Sequence, residues 1–182
     1  MSRKYIYYTS LGEDNTYAQS VWELLCGADK KFIPALSARE SPKDTNLNDG
    51  SCSTDILLPR SYFNEMKKQS IVIASMHGEC VGFLSYRPNY IVPEIDTKVS
   101  VYVSTIIVNQ EMQERGIATG LYQHLMNKMN AEFSSFSIAT RTWSTNSSHL
   151  HILEKLGLTC VKSIKDARGE GIDTVIYLKQ TT

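Results

Sequence analysis

The chain has 182 residues, which suffices for one domain of ordinary size but is short for two. Lysine plus arginine and aspartate plus glutamate both number 19, so no net charge favours nucleic acid or an anionic membrane as a partner. No apolar run reaches the length of a membrane span or a signal peptide, and the 4 cysteines form neither a C-x-x-C pair nor a zinc-type cluster. We therefore expect a single domain over residues 1–182, in the cytoplasm, without a metal ion.

The N-terminal segment predicts a strand followed by a helix. Tyrosine and isoleucine favour a strand over residues 4–9. The helix that follows has Asp14 or Asn15 as its N-cap, because their side chains accept hydrogen bonds from free backbone N–H groups. Gly27 is expected to end this helix, since glycine adopts the left-handed conformation that follows many helices.

A long polar loop separates this helix from the next one. Residues 37–55 contain a proline and a glycine and show no hydrophobic periodicity. Such a loop in a compact domain is either functional or disordered, and the sequence leaves both readings open. Pro59 suits the first turn of a second helix, which we place over residues 60–69.

A hairpin and a long strand occupy the middle of the chain. Strands over residues 70–76 and 80–87 flank a glycine-containing turn at residues 77–79. Pro88 is expected to end the second strand, and another strand follows over residues 98–108. Strict alternation along that strand places Tyr102, Ser104, Ile106 and Val108 on one face and Val101, Val103, Thr105 and Ile107 on the other.

The C-terminal third alternates strands with a helix. The predicted elements are a strand over 137–143, a helix over 148–156 that ends at Gly157, and strands over 158–164 and 174–178. Residues 144–147 offer several N-caps for that helix. The order of elements predicts a mixed α/β fold in which a mostly antiparallel sheet carries helices on both faces, with parallel neighbours where a helix crosses over.

The segment after the long strand predicts an anion site. Apolar residues recur every four positions from Ile117 and indicate a helix that begins just after Gly116. The first N–H groups of a helix have no partner within it, and the peptide dipoles add about half a positive charge there. Gly116 lacks a Cβ, so a phosphate can approach the backbone closely. We interpret this strand, turn and helix as a candidate diphosphate cradle.

Two motifs resemble those of the GNAT superfamily of acyl-CoA-dependent N-acetyltransferases. Residues 113–118, QERGIA, directly follow the apolar strand ending at Val108 and resemble the pattern Q/R-x-x-G-x-G/A. Residues 146–158, NSSHLHILEKLGL, resemble the second motif, in which an asparagine after a strand opens a helix. The motifs occur in the family's order, and the resemblance covers residues 70–178, with the first 70 residues matching only by order of elements.

This resemblance implies a GNAT-like, seven-stranded sheet that is splayed between two parallel central strands, with acetyl-CoA as co-substrate in the gap. Main-chain groups of Ile106 and Val108 would pair with the pantetheine arm, and Asn146 would contact it from the other side. Backbone amides of residues 115–119 would hold the diphosphate, helped by Gln113. The implied cofactor-binding residues are Ile106, Ile107, Val108, Gln113, Glu114, Arg115, Gly116, Ile117, Ala118, Thr119 and Asn146. Simpler readings are core packing for Ile106 and Val108, and a helix cap for Asn146.

The implied activity is direct transfer of an acetyl group to a primary amine of a small molecule or peptide. An alternative is a non-catalytic acyl-CoA sensor or regulatory module of the same fold, and hydroxyl or thiol acceptors also stay open. The sequence does not identify the acceptor, and a homodimer is compatible with it. We expect residues 37–55 and 165–173 to flank the acceptor site, because specificity often resides in loops on a rigid sheet.

One position departs from the family pattern. Leu153 stands where many members carry a tyrosine that protonates the departing CoA thiolate. Tyr102 and Ser104 lie on the strand where members often place a glutamate base, and His149 lies one turn before Leu153. Histidine, with an ordinary pKa of about 6.5, suits proton transfer. The candidate catalytic residues are therefore Tyr102, Ser104 and His149. The alternative is that Tyr102 packs in the core and His149 caps its helix.

Overall fold

The computed structural model describes residues 5–11, 15–39 and 58–181. Seven strands are present in these residues: β1 (Ile6–Leu11), β2 (Ser70–Met76), β3 (Glu79–Val92), β4 (Thr97–Val108), β5 (Ser137–Trp143), β6 (Thr159–Ile164) and β7 (Thr174–Gln180). They form one sheet in the order β1-β2-β3-β4-β5-β7-β6. Neighbouring strands are antiparallel except β4 and β5, which are parallel. The predicted mixed, mostly antiparallel sheet is confirmed.

Helices cover both faces of this sheet, as predicted. The α-helices are α1 (Ala18–Ala28), α2 (Arg60–Met66), α3 (Ile117–Glu132) and α4 (Ser147–Lys155). One apolar core joins α3 and α4 to the sheet and includes Leu121, Leu125 and Leu153. A second core joins α1 and α2 to the opposite face and includes Leu25 and Met66. No helix in the described ranges is long and apolar enough to span a membrane.

The first helix differs from its prediction at both ends. A 3-10 turn over Asn15–Tyr17 precedes α1, and no side chain caps the helix at Tyr17. Asp14, the other predicted cap, lies outside the described residues, as do residues 40–57 of the predicted polar loop. Gly27 lies inside α1 and does not end it, so that prediction was wrong. The backbone stays right-handed through Asp29, and a left-handed glycine is therefore not needed.

The hairpin is confirmed, but its second strand is longer than predicted. Its turn residues His77 and Gly78 have φ of 55° and 84°, the left-handed pair that suits a tight hairpin. β3 continues through Pro88 to Val92, so the prediction that Pro88 ends it was wrong. The pairing of β3 with β2 stops at Tyr86. Beyond that residue β3 is an edge strand on its β2 side, where a proline is tolerated.

A β-bulge in β4 corrects the predicted alternation. Ser85 lies opposite Thr105 while Tyr86 lies opposite Val103, so Ser104 is an extra residue on β4. An extra residue shifts every later side chain to the other face of the sheet. After the bulge, Ile106 and Val108 therefore pack toward α3 together with Val101 and Val103, whereas Ile107 joins the core under α1 and α2. Tyr102 packs on that second face, away from Ile106 and Val108.

The end of α4 follows the prediction. Gly157 has φ of 80° and donates its N–H to the Glu154 carbonyl at 2.9 Å. The Leu158 N–H donates to the Leu153 carbonyl at 3.0 Å, which completes a Schellman motif. Gly157 thus ends the helix by supplying the left-handed conformation that L-residues avoid.

The contrast between these two glycines makes a stability prediction. Gly157→Ala is expected to destabilise the protein by about 1 kcal/mol, because alanine in the left-handed region is strained. Gly27→Ala is expected to stabilise it by up to ~1 kcal/mol, because Gly27 is helical and a Cβ there would meet no atom within 4 Å. Urea denaturation of both variants measures the two changes. A change of the same sign in both would contradict this account of α1 and α4.

Candidate active site

The two parallel strands part from one another near the centre of the sheet. β4 and β5 pair at three positions, from Val101 opposite Ile138 to Val103 opposite Thr140. Beyond them, β4 continues to pair with β3 as far as Val108, and β5 continues to pair with β7. A gap therefore opens between the C-terminal halves of β4 and β5. The inner edges of this gap carry backbone N–H and C=O groups that no β4–β5 ladder pairs within the described residues, an arrangement that suits an extended ligand.

Side chains hold the two strands together on the closed side of the gap. The Ser100 N–H donates to Ser137 Oγ at 3.0 Å, and the Ser137 N–H donates to Ser100 Oγ at 3.1 Å. The Thr140 hydroxyl donates to the Val103 carbonyl at 3.0 Å. The last paired carbonyl of β4 is thus satisfied by a side chain rather than by a continuing ladder, which fixes where the strands separate.

The predicted diphosphate cradle lies at the N-terminus of α3. Gly116 is the N-cap, with φ of 78°, and no side chain of the described residues caps the helix there. A Cβ on Gly116 would meet no atom within 4 Å, so the space in front of the helix is open. Glu114 also has a positive φ, of 60°, and alternating backbone conformations of this kind orient successive N–H groups to one side. This geometry suits an anion.

The neighbouring motif residues have more modest contacts. Gln113 Nε2 is 3.5 Å from the Val108 carbonyl, a long hydrogen bond that leaves this side chain exposed at the turn. Arg115 is also exposed. Asn146 occupies the N-cap position of α4, but its side chain makes no capping bond and instead donates from Nδ2 to Thr142 Oγ1 at 3.1 Å. The helix-cap reading of Asn146 therefore holds for its backbone position and not for its side chain.

Comparison with known proteins now decides the family. A sequence model described as the acetyltransferase (GNAT) family matches residues 39–158. The chain belongs to the GNAT acetyltransferase family. A search of curated proteins finds no match to it.

Solved structures confirm the GNAT fold. An N-acetyltransferase from Staphylococcus aureus Mu50 has a TM-score of 0.65 at 14% identity, covering 97% of this chain and 98% of that one. The yncA protein of Salmonella typhimurium, solved with its cofactor acetyl-CoA, has a TM-score of 0.64 at 14% identity, with 97% and 94% covered. The NatC complex bound to Gag peptide and CoA has a TM-score of 0.62 at 17% identity, with 98% and 99% covered. At these identities the likeness concerns the fold.

Tyr102, the first candidate catalytic residue, lies on the GNAT sheet face that packs toward α1 and α2. Only 2% of it is exposed, and its hydroxyl accepts a hydrogen bond from Arg141 Nε at 2.7 Å. Burial raises the pKa of the Tyr102 phenol to about 12, although the Arg141 charge acts against this. The phenol is therefore protonated at neutral pH, a state that suits an acid rather than a base.

His149, the second candidate, lies on the opposite face. Its Nε2 and the Tyr122 hydroxyl are hydrogen-bonded at 3.0 Å, so His149 tethers α4 to α3 rather than capping its own helix. Burial lowers the pKa of His149 to about 4, and its ring is neutral at pH 7. The structure thus separates His149 from Tyr102 by the thickness of the sheet.

Ser104, the third candidate, is the bulge residue of β4. Its hydroxyl donates to Gln69 Oε1 at 2.7 Å, so its proton is already engaged. Leu153, at the position where many family members carry tyrosine, is fully buried in the core beneath α4.

Sequence reasoning missed several polar residues around the gap. Arg141 lies within the apolar strand β5 and pairs with Glu94, with Nη1 and Oε1 at 2.8 Å. A charged residue inside an otherwise buried strand is a signal that could have indicated it. Tyr122, by contrast, lies within the buried stripe of α3, where nothing in the sequence distinguishes its hydroxyl from ordinary core packing.

The His149 environment predicts a pH dependence of stability. The folded state disfavours the charged ring, so below pH ~6.5 the unfolded chain binds more protons than the folded protein. The free energy of unfolding should therefore fall as the pH drops from about 6.5 toward about 4. Its limiting slope is about 1.4 kcal/mol per pH unit. Urea denaturation across this range measures it.

Two variants test the assignment of this slope to His149. His149→Gln keeps a polar partner for Tyr122 and should flatten the slope, leaving the smaller dependence due to His124, whose pKa burial also lowers. His151→Gln, on the same helix but exposed, should retain the wild-type slope. An unchanged slope in His149→Gln would show that this ring is not the titrating group.

Proposed function

We propose that this chain transfers the acetyl group of acetyl-CoA directly to a primary amine of a small molecule or peptide. The observation that carries this proposal is the gap between β4 and β5 with the uncapped N-terminus of α3 beside it. Membership of the GNAT family supports acetyl transfer. Among the similar structures, one holds acetyl-CoA and another holds a peptide together with CoA, which supports the choice of donor and of an amine acceptor.

The residues around the gap fit acetyl-CoA. Backbone amides of residues 115–119 would hold the diphosphate, because the space beside Gly116 is open and these amides lie at the positive end of the α3 dipole. Main-chain groups of Ile106 and Val108 would pair with the amides of the pantetheine arm, as an added strand would. Asn146 would contact the arm from the β5 side.

The chemistry requires few protein groups. The amine nitrogen forms a bond to the acetyl carbonyl carbon, the carbon–sulfur bond breaks, and CoA leaves as a thiolate. The nitrogen then loses one proton, and the thiolate gains one. Holding the two reactants together supplies much of the rate, and a thiol with a pKa of about 8.5 is a tolerable leaving group without an acid.

The contacts of the three candidate residues rank them as proton carriers. The Tyr102 oxygen accepts from Arg141, which leaves its own hydrogen available to another acceptor. Ser104 already donates to Gln69. The His149 ring is held by Tyr122, away from the face of Tyr102. We therefore rank Tyr102 first as the acid that protonates the departing thiolate, with His149, acting through Tyr122, second.

One observation favours a second function. Leu153 cannot donate a proton, and a domain that bound acyl-CoA without turnover would serve as a sensor or regulatory module. Release of free CoA over a panel of amines distinguishes the two functions, because a sensor releases none above the rate of spontaneous hydrolysis. The same panel, extended to alcohols and thiols, tests the choice of nitrogen as the acceptor atom.

Acetyl-CoA binding is the first test of the proposed function. A ligand that binds only the folded state stabilises it by about 2.7 kcal/mol at a hundredfold excess over the dissociation constant, so acetyl-CoA should raise the Tm. Gly116→Val should abolish this shift, because a side chain would fill the space in front of α3. Gly78→Val is the matched control, since Gly78 has a similar φ of 84° and equally open surroundings in the hairpin turn. It should lower the Tm yet retain the shift. No shift in the wild type at millimolar acetyl-CoA, or an undiminished shift in Gly116→Val, would refute the cradle.

Turnover by point variants tests the proton carriers. Tyr102→Phe or His149→Ala should lower kcat at least tenfold while leaving acetyl-CoA affinity nearly unchanged, because a positioned acid contributes about 10²–10⁴ in rate. Tyr177→Phe is the control, since this buried tyrosine donates to Glu154 at 3.1 Å and not to any candidate residue. Near-normal kcat in both Tyr102→Phe and His149→Ala would eliminate these residues and leave proton transfer to solvent.

A further inference from the structure

Three arginines from separate segments converge on the sheet face opposite α3. The Arg87 guanidinium lies 5.4 Å from the centre of the Tyr90 ring, which packs 4.6 Å from the Tyr102 ring. The Arg141 guanidinium lies 5.6 Å from the centre of the Tyr102 ring. Arg168, from the turn between β6 and β7, lies 5.6 Å from the ring of Trp143, two residues after Arg141 on β5. Each of the three arginines thus lies beside an aromatic ring on the same face of the sheet.

Electrostatic effects show that these charges act on the same space. Burial raises the pKa of the Tyr62 phenol, while the charges of Arg39, Arg87 and Arg168 act to lower it. Burial also lowers the pKa of Arg168 to about 10, and repulsion by Arg39 and Arg141 adds to this decrease. Arg168 thus lies close enough to Arg141 to experience its charge, and Arg87 and Arg168 both act on the Tyr62 phenol.

Protein groups satisfy this cluster only in part. Arg141 is ion-paired with Glu94, and Arg168 donates to the Ile33 carbonyl and, at 3.0 Å, to Thr174 Oγ1, which are both neutral. Arg87 Nη1 is buried and has no hydrogen-bond partner among the described residues. A buried cationic donor without a partner is costly, so such a group indicates a missing acceptor.

Two further buried polar atoms share this condition. Gln69 Nε2 and Ser85 Oγ also lack partners within the described ranges. Ser85 is two residues before Arg87 on β3 and opposite Thr105, whose hydroxyl bonds the Tyr62 hydroxyl at 2.7 Å. The unpartnered Ser85 hydroxyl therefore lies on the face that carries the arginines.

The location of the cluster relates it to the gap. Tyr102 on β4 and Arg141 on β5 flank the place where the strands part, between Val103 and Thr140. Their face is the one opposite the N-terminus of α3, where Ile117 packs. A ligand group held by the arginines would therefore lie across the sheet from a diphosphate held at α3.

We propose that the acceptor carries a carboxylate or a phosphate near its amine, and that Arg87 and Arg168, with Arg141 beside them, bind this anion. The proposal rests on the proposed function, because it places the acceptor at the end of the gap away from the diphosphate. Guanidinium groups bind carboxylate and phosphate oxygens in pairs, which orients the ligand as well as retaining it.

The experiment compares amines that differ only in the anionic group. CoA release is measured for the proteinogenic amino acids against their amides, and for phosphoethanolamine against ethanolamine. For at least one amino acid, or for phosphoethanolamine, kcat/KM should exceed that of the neutral member at least tenfold. A preference within the amino acid set would indicate a carboxylate, and a preference for phosphoethanolamine over ethanolamine would indicate a phosphate. Equal or better transfer to all neutral members would overturn the proposal and leave acetyl transfer to amines intact.

Variants assign the preference to the arginines. Arg87→Gln is the decisive variant, because Arg87 Nη1 has no partner in the described part of the chain and its loss removes no bond of that atom. Arg87→Gln should raise the KM of the anionic amine at least tenfold. The KM of the neutral amine should not change, nor should the increase in Tm caused by acetyl-CoA. Arg168→Gln should act in the same direction. Arg60→Gln, an exposed arginine over Trp22 on α2, should behave as the wild type. If Arg87→Gln leaves the KM of the anionic amine unchanged, the assignment of the anion site to Arg87 is overturned.

A binding measurement separates failure of this proposal from failure of the proposed function. Isothermal titration with N-acetyl amino acids and their amides requires no turnover. Acids that bind at least tenfold more tightly than amides, with the difference lost in Arg87→Gln, would support the anion site even if no amine were acetylated. The anion site would be refuted if acids and amides bind equally, or not at all, while the protein transfers acetyl groups to anionic and neutral amines at the same rate.

Discussion

The separation of β4 from β5 is the constraint on which the rest of the structure depends. Each strand is fully paired on its outer side, β4 with β3 as far as Val108 and β5 with β7 along its length. On the inner side they pair only as far as Val103, whose carbonyl is taken by Thr140. The sheet therefore exposes main-chain donors and acceptors at its centre rather than at its edge, between two well-packed cores. Buried backbone groups need partners, which makes this gap a stronger candidate for a binding site than an edge strand.

The bulge at Ser104 determines what surrounds the gap. Without the extra residue, strict alternation would place Thr105 toward α3 and leave the Tyr62 hydroxyl without its partner. With it, Ile106 and Val108 complete the apolar contact with α3, and Thr105 joins Tyr102 on the opposite face. One inserted residue thus allows the same strand to support the helix of the cradle on one face and the polar contacts of Thr105 and Tyr102 on the other.

The sequence predicts local structure well and non-local structure poorly. β2 and β5 have the predicted bounds because each is a short β-branched run between clear turn signals. The strand, turn and helix around Gly116 could also be predicted, since their signals are contiguous. The bulge could not, because Ser104 lies inside an uninterrupted strand pattern and the shift appears only in its pairing with β3. Gly27 and Gly157 look alike in sequence, and only the continuation of the chain shows which one ends a helix.

The candidate site divides in the same way. Its α3 side lies within one sequence motif, whereas Arg87, Arg141 and Arg168 come from three segments that the sheet order brings together. No periodicity relates these arginines, and no sequence pattern indicates that the three lie on one face. Their common feature is burial beside aromatic rings, which depends on tertiary structure. Sequence patterns therefore predicted the part of the site expected to bind the donor, and for the acceptor they indicated only the 165–173 turn that carries Arg168, not Arg87 or Arg141.

The arginine cluster also bears on the missing base. An amine must be neutral to attack the acetyl carbon, yet most primary amines are protonated at pH 7. Burial is the main cause of the lowered pKa of Arg168, and the charges of Arg39 and Arg141 add to it. On the proposed function, an acceptor next to Arg87 and Arg168 would experience these positive charges too. A nearby cation disfavours the ammonium form, so the field lowers the pKa of the amine and raises the neutral fraction. Tyr102, protonated at neutral pH, is suited to the opposite task of donating to the thiolate. Activation of the amine by surrounding charge needs no dedicated base, which agrees with a site in which His149 is bonded to Tyr122 on the far face of the sheet.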